Sequence, residues 1–277
     1  MRPFRPWILP VLLLCGLAAT LSAQAPPSGP GDLLVAPTRV VFEGRKRNTE
    51  VNLSNIGTSR ATYRVSLVRM DMDESGGFKE RPLDPGSENI QSLFRFSPRE
   101  VTLEPKESQT VRIQVRKPAE LPAGEYRLHM VFRAVPPAPD PASIPSAPAK
   151  GISIKLTPVY GIAIPLIIRH GETSAQVSIT EPVLDMAGRA LRFHLNRSGN
   201  QSVYGDLKAV LFPAKGAPEV LVEAAGLAVY TPNASRTVTM ALPPAKPLPP
   251  GSRIRITFAL PSLEGGALLT ETFVSVP

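Results

Sequence analysis

The chain has 277 residues, a formal net charge of +8 and 43 % hydrophobic residues, enough to bury one large or two ordinary cores. The charge is spread along the sequence rather than gathered in a block, which excludes a basic nucleic-acid-binding tail. A single cysteine excludes a scaffold stapled by internal disulfides.

Arg2 and Arg5 precede an apolar run over 7–21, too short to cross a bilayer stably, and small residues Ser22 and Ala23 follow it. Residues 1–23 therefore read as a signal peptide that is cleaved on export. Cleavage removes Cys15, so the exported chain must hold its cores without a disulfide. Residues 24–32 read as a disordered N-terminus, and no later segment is long and apolar enough to embed in a membrane.

From residue 33 onward, short β-branched runs are separated by Gly, Pro, Asn and Asp, with no sustained helical period. Strands are predicted over 33–42, 48–54, 61–70, 93–97, 100–103, 108–116 and 124–135, a spacing that suits one β-sandwich. Asn55-Ile56-Gly57 and Glu104-Pro105-Lys106 supply turns between them. Asp71, Asp73, Ser75 and Gly76 imitate the opening of a calcium loop, but Pro82 stands where the bidentate Glu is required. Ser75-Gly76-Gly77 is therefore read as a hairpin turn. Residues 136–151 form a proline-rich loop, which cannot join a sheet interior. A second series of strands, over 175–180, 190–196, 204–212, 219–224, 236–241, 253–260 and 268–276, gives a second sandwich spanning 172–277.

Between the proline-rich loop and the second sandwich lies a run of unusual length, 152–168. Ile152, Ile154, Leu156, Tyr160, Ile162, Ile164, Leu166 and Ile168 share one parity, broken only by Pro158. A strand of about 17 residues exceeds the usual five or six. Such a run is either the ordinary core of its own sheet or a strand that overhangs it and pairs with a partner strand. Periodicity leaves both readings open.

The segments 34–44, 51–57, Phe96-Ser97-Pro98, Leu103-Glu104-Pro105, 109–113, Leu121-Pro122 and Val135-Pro136-Pro137 stand in an order and spacing that resembles the periplasmic pilus-assembly chaperones of the PapD-like type. The resemblance covers mainly 35–169, the whole first domain, which spans 33–169. It implies an all-β chain of two immunoglobulin-like β-sandwich domains in tandem, after the cleaved signal peptide, with 152–168 as a donor strand. Ile152, Ile154, Leu156, Tyr160, Ile162 and Ile164 would then lend an apolar face to an incomplete subunit. It also implies that Arg39 binds the subunit's terminal carboxylate, a contact suited to a planar guanidinium. The family's second anchor, a lysine, falls at Pro165 or its neighbours when Arg169 is aligned with the family's arginine, and Lys155 lies at the loop-proximal end. Arg169 is either an interdomain ion-pair residue or an ordinary hinge residue.

His129, His170 and His194 have no metal-ligand spacing, and no G-x-S-x-G elbow, H-E-x-x-H or phosphate-cradling loop occurs. No catalysis, metal or cofactor is expected. The expectation is a periplasmic chaperone that caps pilus or other secreted β subunits by donor-strand complementation and delivers them to an outer-membrane usher. Self-capped dimers are a further partner state. The alternative is a structural immunoglobulin-like module of the envelope without a client.

Overall fold

The computed structural model describes residues 32–82, 88–136 and 159–277. The signal peptide, most of the proline-rich loop and the expected donor residues Ile152, Ile154 and Leu156 lie outside the described residues, as does Lys155.

The first sandwich is built from β1 (Leu33–Ala36), β2 (Val40–Phe42), β3 (Asn48–Asn55), β4 (Ala61–Met72), β5 (Phe78–Arg81), a short helix α1 (Glu88–Ser92), β6 (Phe94–Ser97), β7 (Glu100–Leu103), β8 (Ser108–Val115), β9 (Gly124–Val135) and β10 (Gly161–His170). One sheet has the order β1-β3-β8-β6 and the other β2-β10-β9-β4-β5, with β7 also on β4. The second sandwich comprises β11 (Ala175–Asp185), β12 (Ala190–Gly199), β13 (Val203–Phe212), β14 (Glu219–Val229), β15 (Ser235–Ala241), β16 (Arg253–Ala259) and β17 (Leu268–Ser275). Its sheets are β11-β12-β15 and β14-β13-β16-β17. The chain is thus all-β, with two stacked-sheet domains of immunoglobulin-like architecture.

The single strand predicted over 33–42 is two strands in different sheets, β1 pairing with β3 and β2 with β10. The physical reason is parity. Leu33 and Val35 are buried, and so are Val40 and Phe42. A pleated strand cannot place residues 35 and 40 on one face, so the chain must cross between sheets, and Pro37 cannot donate a ladder hydrogen bond at the crossing. Strand β5 is not among the predicted runs, because Phe78-Lys79-Glu80-Arg81 carries no apolar alternation, but it is the returning arm that the hairpin turn at Ser75-Gly76-Gly77 requires, folded back on β4.

Both turns follow from side-chain chemistry. Buried Asn55 donates to the carbonyls of Ser59 (2.8 Å) and Leu103 (3.1 Å) and accepts from the Gly57 amide (3.0 Å), so none of its polar atoms is wasted. In the β4–β5 hairpin, Asp73 Oδ1 accepts from the Ser75 amide (2.9 Å), the Ser75 hydroxyl (2.6 Å) and the Gly77 amide (2.8 Å). The Ser75 hydroxyl first, and then the Gly77 amide, holds this carboxyl below its ordinary range. The hairpin tip docks on the second domain, where the Thr237 amide donates to the Glu74 carbonyl at 2.7 Å. Gly76 has φ +88°, a conformation that side-chain-bearing residues adopt only with strain, and a Cβ there would also displace the Arg236 guanidinium.

Strand β10 is where the two cores meet. Ile164, Leu166 and Ile168 are buried in the first core, Ile162 packs partly against it, and Ile167 is buried in the second core with Met72. The register with β9 runs unbroken from Gly161 opposite Arg133 to His170 opposite Gly124. The described strand therefore continues two residues past the predicted end at 168. Ile164, expected on the lending face, is 1 % exposed and already committed to its own core.

Replacing Leu166 by Ala should cost about 3 kcal/mol of stability through the cavity it leaves, whereas Tyr160→Ala, 57 % exposed in the free protein, should change it by less than about 0.5 kcal/mol. Urea denaturation of the two variants measures the contrast.

Candidate polypeptide-binding edge and interdomain cleft

Strand β10 has β9 along one whole edge, but β2 reaches it on the other only from Leu166, opposite Val40, to Ile168, opposite Phe42. Among the described residues, the main chain of 161–165 has no strand on that second side. Continuing the parallel register one step back places Arg39 beside Pro165, and Pro165 in turn lies opposite His129, which lies opposite Val68. The open edge therefore ends at Arg39.

Arg39 is held from the second domain. Its guanidinium carbon stacks 4.4 Å from the Tyr204 ring centroid, and Nη1 lies 4.0 Å from Glu264 Oε1. The side chain is 11 % exposed. Among the described residues its buried Nε has no hydrogen-bond partner, an arrangement that leaves a desolvated donor at the end of an open strand edge.

The rest of this face of the sheet is an interdomain contact built from polar residues. Glu125, Arg127 and His129 alternate along β9 with Leu128 and Met130, so the strand period alone puts them on the face turned to the second domain. Glu125 has a side chain that is 0 % exposed. It accepts from Arg169 Nε (3.3 Å), the Ser202 amide (3.1 Å) and the Ser202 hydroxyl. Arg169 also reaches Glu43 at 3.5 Å and donates to the Ser202 carbonyl at 3.4 Å. The residue expected as either a hinge or an ion-pair partner thus bonds to groups of both domains, while Lys117 fixes its carbonyl at 2.9 Å.

Arg127 donates to the carbonyls of Met70 (3.1 Å) and Thr231 (3.3 Å) and stacks 4.3 Å from the Tyr230 ring centroid. Burial pushes its pKa down from the ordinary value. His129 sits between Phe78 and Tyr230, with ring centroids 5.3 and 6.3 Å away. Burial first, and Arg127 second, pushes it down to about 3, so the imidazole is neutral at physiological pH. Neither Pro165 nor its neighbour His129 offers a charge beside Arg39. The position where the resemblance implies a lysine is uncharged.

The model for the pili and flagellar-assembly chaperone family, PapD N-terminal domain, matches residues 32–174. The chain belongs to this family. No curated protein matches this chaperone-family chain. Among solved structures, the YadV chaperone is 12 % identical, with 88 % of this chain and 100 % of that chain covered at a TM-score of 0.44. The Pseudomonas aeruginosa CupB2 chaperone is 14 % identical, with the same coverage and TM-score. The CsuC–CsuE chaperone–tip adhesion subunit complex of Acinetobacter baumannii is 15 % identical, covering 87 % and 96 % at a TM-score of 0.42. Among the described residues, no helix of this chain is long and apolar enough to cross a membrane.

Sequence reasoning named Arg39, Arg169 and the strand, and missed Glu125, Arg127, His129, Tyr204, Tyr230 and Glu264. A signal for the β9 residues existed: three successive polar side chains on one face of a strand whose other face is fully apolar. That pattern ordinarily means solvent, and only the second domain makes it an interface.

His129 gives the protein an acid sensitivity whose sign is fixed. The unfolded chain takes up a proton near pH 6.5 that the folded chain refuses until about pH 3. Stability should therefore fall as pH drops through that window, by about 1.4 kcal/mol per pH unit from this group. In His129→Phe, which keeps the aromatic contacts, urea unfolding between pH 6 and 4 should show a slope shallower by one proton. Separately, Glu125→Ala leaves Arg169 buried without its main partner and should cost about 3 kcal/mol.

Proposed function

We propose that this chain is a periplasmic chaperone that holds a secreted β subunit by strand addition along the open edge of β10, with Arg39 receiving the subunit's C-terminal carboxylate. The observation that carries this reading is the edge at 161–165, which ends at the partly buried Arg39 with its unpartnered Nε. Main-chain hydrogen bonds to an open edge supply affinity without regard to sequence, and alternating side chains supply selectivity.

The same geometry dictates direction. A client strand that lies along 161–165 and ends at Arg39 must run in the sense of β10, hence parallel to it, and it would abut the first residue of β2. Side chains lent to the client come from the stretch upstream of Ile164, because Ile164, Leu166 and Ile168 already fill the first core. Tyr160, exposed, and Ile162, partly buried, are the described members of that set. Ile152, Ile154 and Leu156 are proposed to continue it. Burying each such side chain is worth on the order of 1.5 to 3 kcal/mol before ordering costs. The apolar run of 7–21 supports export, and the family supports onward delivery to an outer-membrane usher.

Tyr160→Asp with Ile162→Asp should reduce the client recovered with the chaperone from periplasm to less than about a tenth, since two charges would face an apolar core. Arg39→Ala should weaken client binding at least about tenfold by removing a charge-assisted contact, while the variant, which also gives up the Tyr204 stacking, still folds and unfolds cooperatively. Wild-type recovery from the double variant would contradict strand lending, and a collapse of folding in Arg39→Ala would make that residue structural.

A further inference from the structure

A carboxylate of the protein's own already faces the anchor. Glu264 lies in the link between β16 and β17, 4.0 Å from Arg39 Nη1, beyond hydrogen-bond range, and its side chain is 51 % exposed. The link is closed by its own backbone: the Glu264 amide donates to the Pro261 carbonyl at 2.8 Å, the Gly266 amide to the same carbonyl at 3.2 Å and the Leu260 amide to Ala267 at 2.8 Å. None of residues 262–264 is buried, and Leu263 beside Glu264 is fully exposed. Glu264 is therefore presented by a turn that owes nothing to core packing and can yield without disturbing either domain.

Glu264 stands on the same guanidinium that a client carboxylate would approach. One face of its guanidinium is taken by Tyr204, its Nε is buried, and Nη1 is turned to Glu264. Pro165, alongside, contributes no second cation. An arriving carboxylate would meet a guanidinium that already faces one carboxylate, and two carboxylates on one guanidinium repel.

We propose that Glu264 is a stand-in for the client's terminal carboxylate, which the client displaces from Arg39, and that this exchange sets the affinity of the anchor. The proposal rests on the reading of Arg39 as the anchor. A resident acid of this kind shields an otherwise uncompensated cation in the free protein. It also makes the client's carboxylate a weaker contribution than a cation pair would give, which favours release of the client to its next partner.

The test uses an alternating valine–threonine nonapeptide with a free C-terminal carboxylate, and the same peptide as its C-terminal amide, titrated into the full exported chain. Glu264→Gln should bind the free acid about threefold more tightly than wild type, the size expected for removing a half-exposed ion pair, and should bind the amide unchanged. Arg39→Ala should bring acid and amide to equal affinity, with or without Glu264→Gln. An acid-to-amide ratio in Glu264→Gln no higher than in wild type, while Arg39→Ala still abolishes the preference, would overturn the exchange and leave the anchor standing. A preference that survives Arg39→Ala, or no binding of either peptide, would overturn both.

Discussion

A β-strand offers two faces and two edges, and β10 gives each to a different neighbour. One face carries Ile164, Leu166 and Ile168 into the first core, while Ile167 on the other enters the second. One edge is paired throughout with β9, and the other is paired with β2 only over Leu166 to Ile168. Over 161–165 the strand is paired along one edge with β9, with Ile164 buried and Ile162 partly buried against the first core, so its open edge is held extended before any partner arrives. Strand addition then costs the chaperone little ordering entropy.

The same sharing fixes the proposed anchor, Arg39. Tyr204 and Glu264 belong to the second domain, yet they determine how the Arg39 guanidinium is oriented and balanced. They can do so only if the domains keep one relative placement. Ile167 and Met72 supply apolar burial at the contact, and buried Glu125 ties Arg169 to Ser202. Replacing one partner of such a network leaves a desolvated charge behind, so the network resists small rearrangements. The hairpin tip at 73–77 adds a further tether at the far side of the same sheet, through the Thr237 amide and the Asn233 side chain.

Much of the fold is legible in the sequence because a strand's period of two is written directly into its residues. The runs at 100–103 and 124–135 coincide with β7 and β9, and the switch of apolar parity between Val35 and Val40 already contains the split of the first strand. Burial in a particular core is not legible in the same way. Nothing in the alternation of 152–168 marks Ile164 off from Tyr160, and only the three-dimensional reach of the first core buries the one and leaves the other exposed. Charged stripes are ambiguous for a related reason: Glu125, Arg127 and His129 look like a solvated face until a second domain covers them. Glu264 is far from Arg39 along the chain and carries no local pattern, so its position depends on the packing of both sandwiches. Asp73, by contrast, was readable, because its turn is made entirely of neighbours in sequence.

In the proposed complex a client strand adds to β10 over 161–165 and ends at Arg39. A crystal structure of the chaperone bound to its client tests this most directly. The account predicts a client strand running parallel to β10, hydrogen-bonded to the main chain of 161–164, with its terminal carboxylate within hydrogen-bond distance of the Arg39 guanidinium and Glu264 moved away. A client seated elsewhere, or running antiparallel with its C-terminus remote from Arg39, would contradict it.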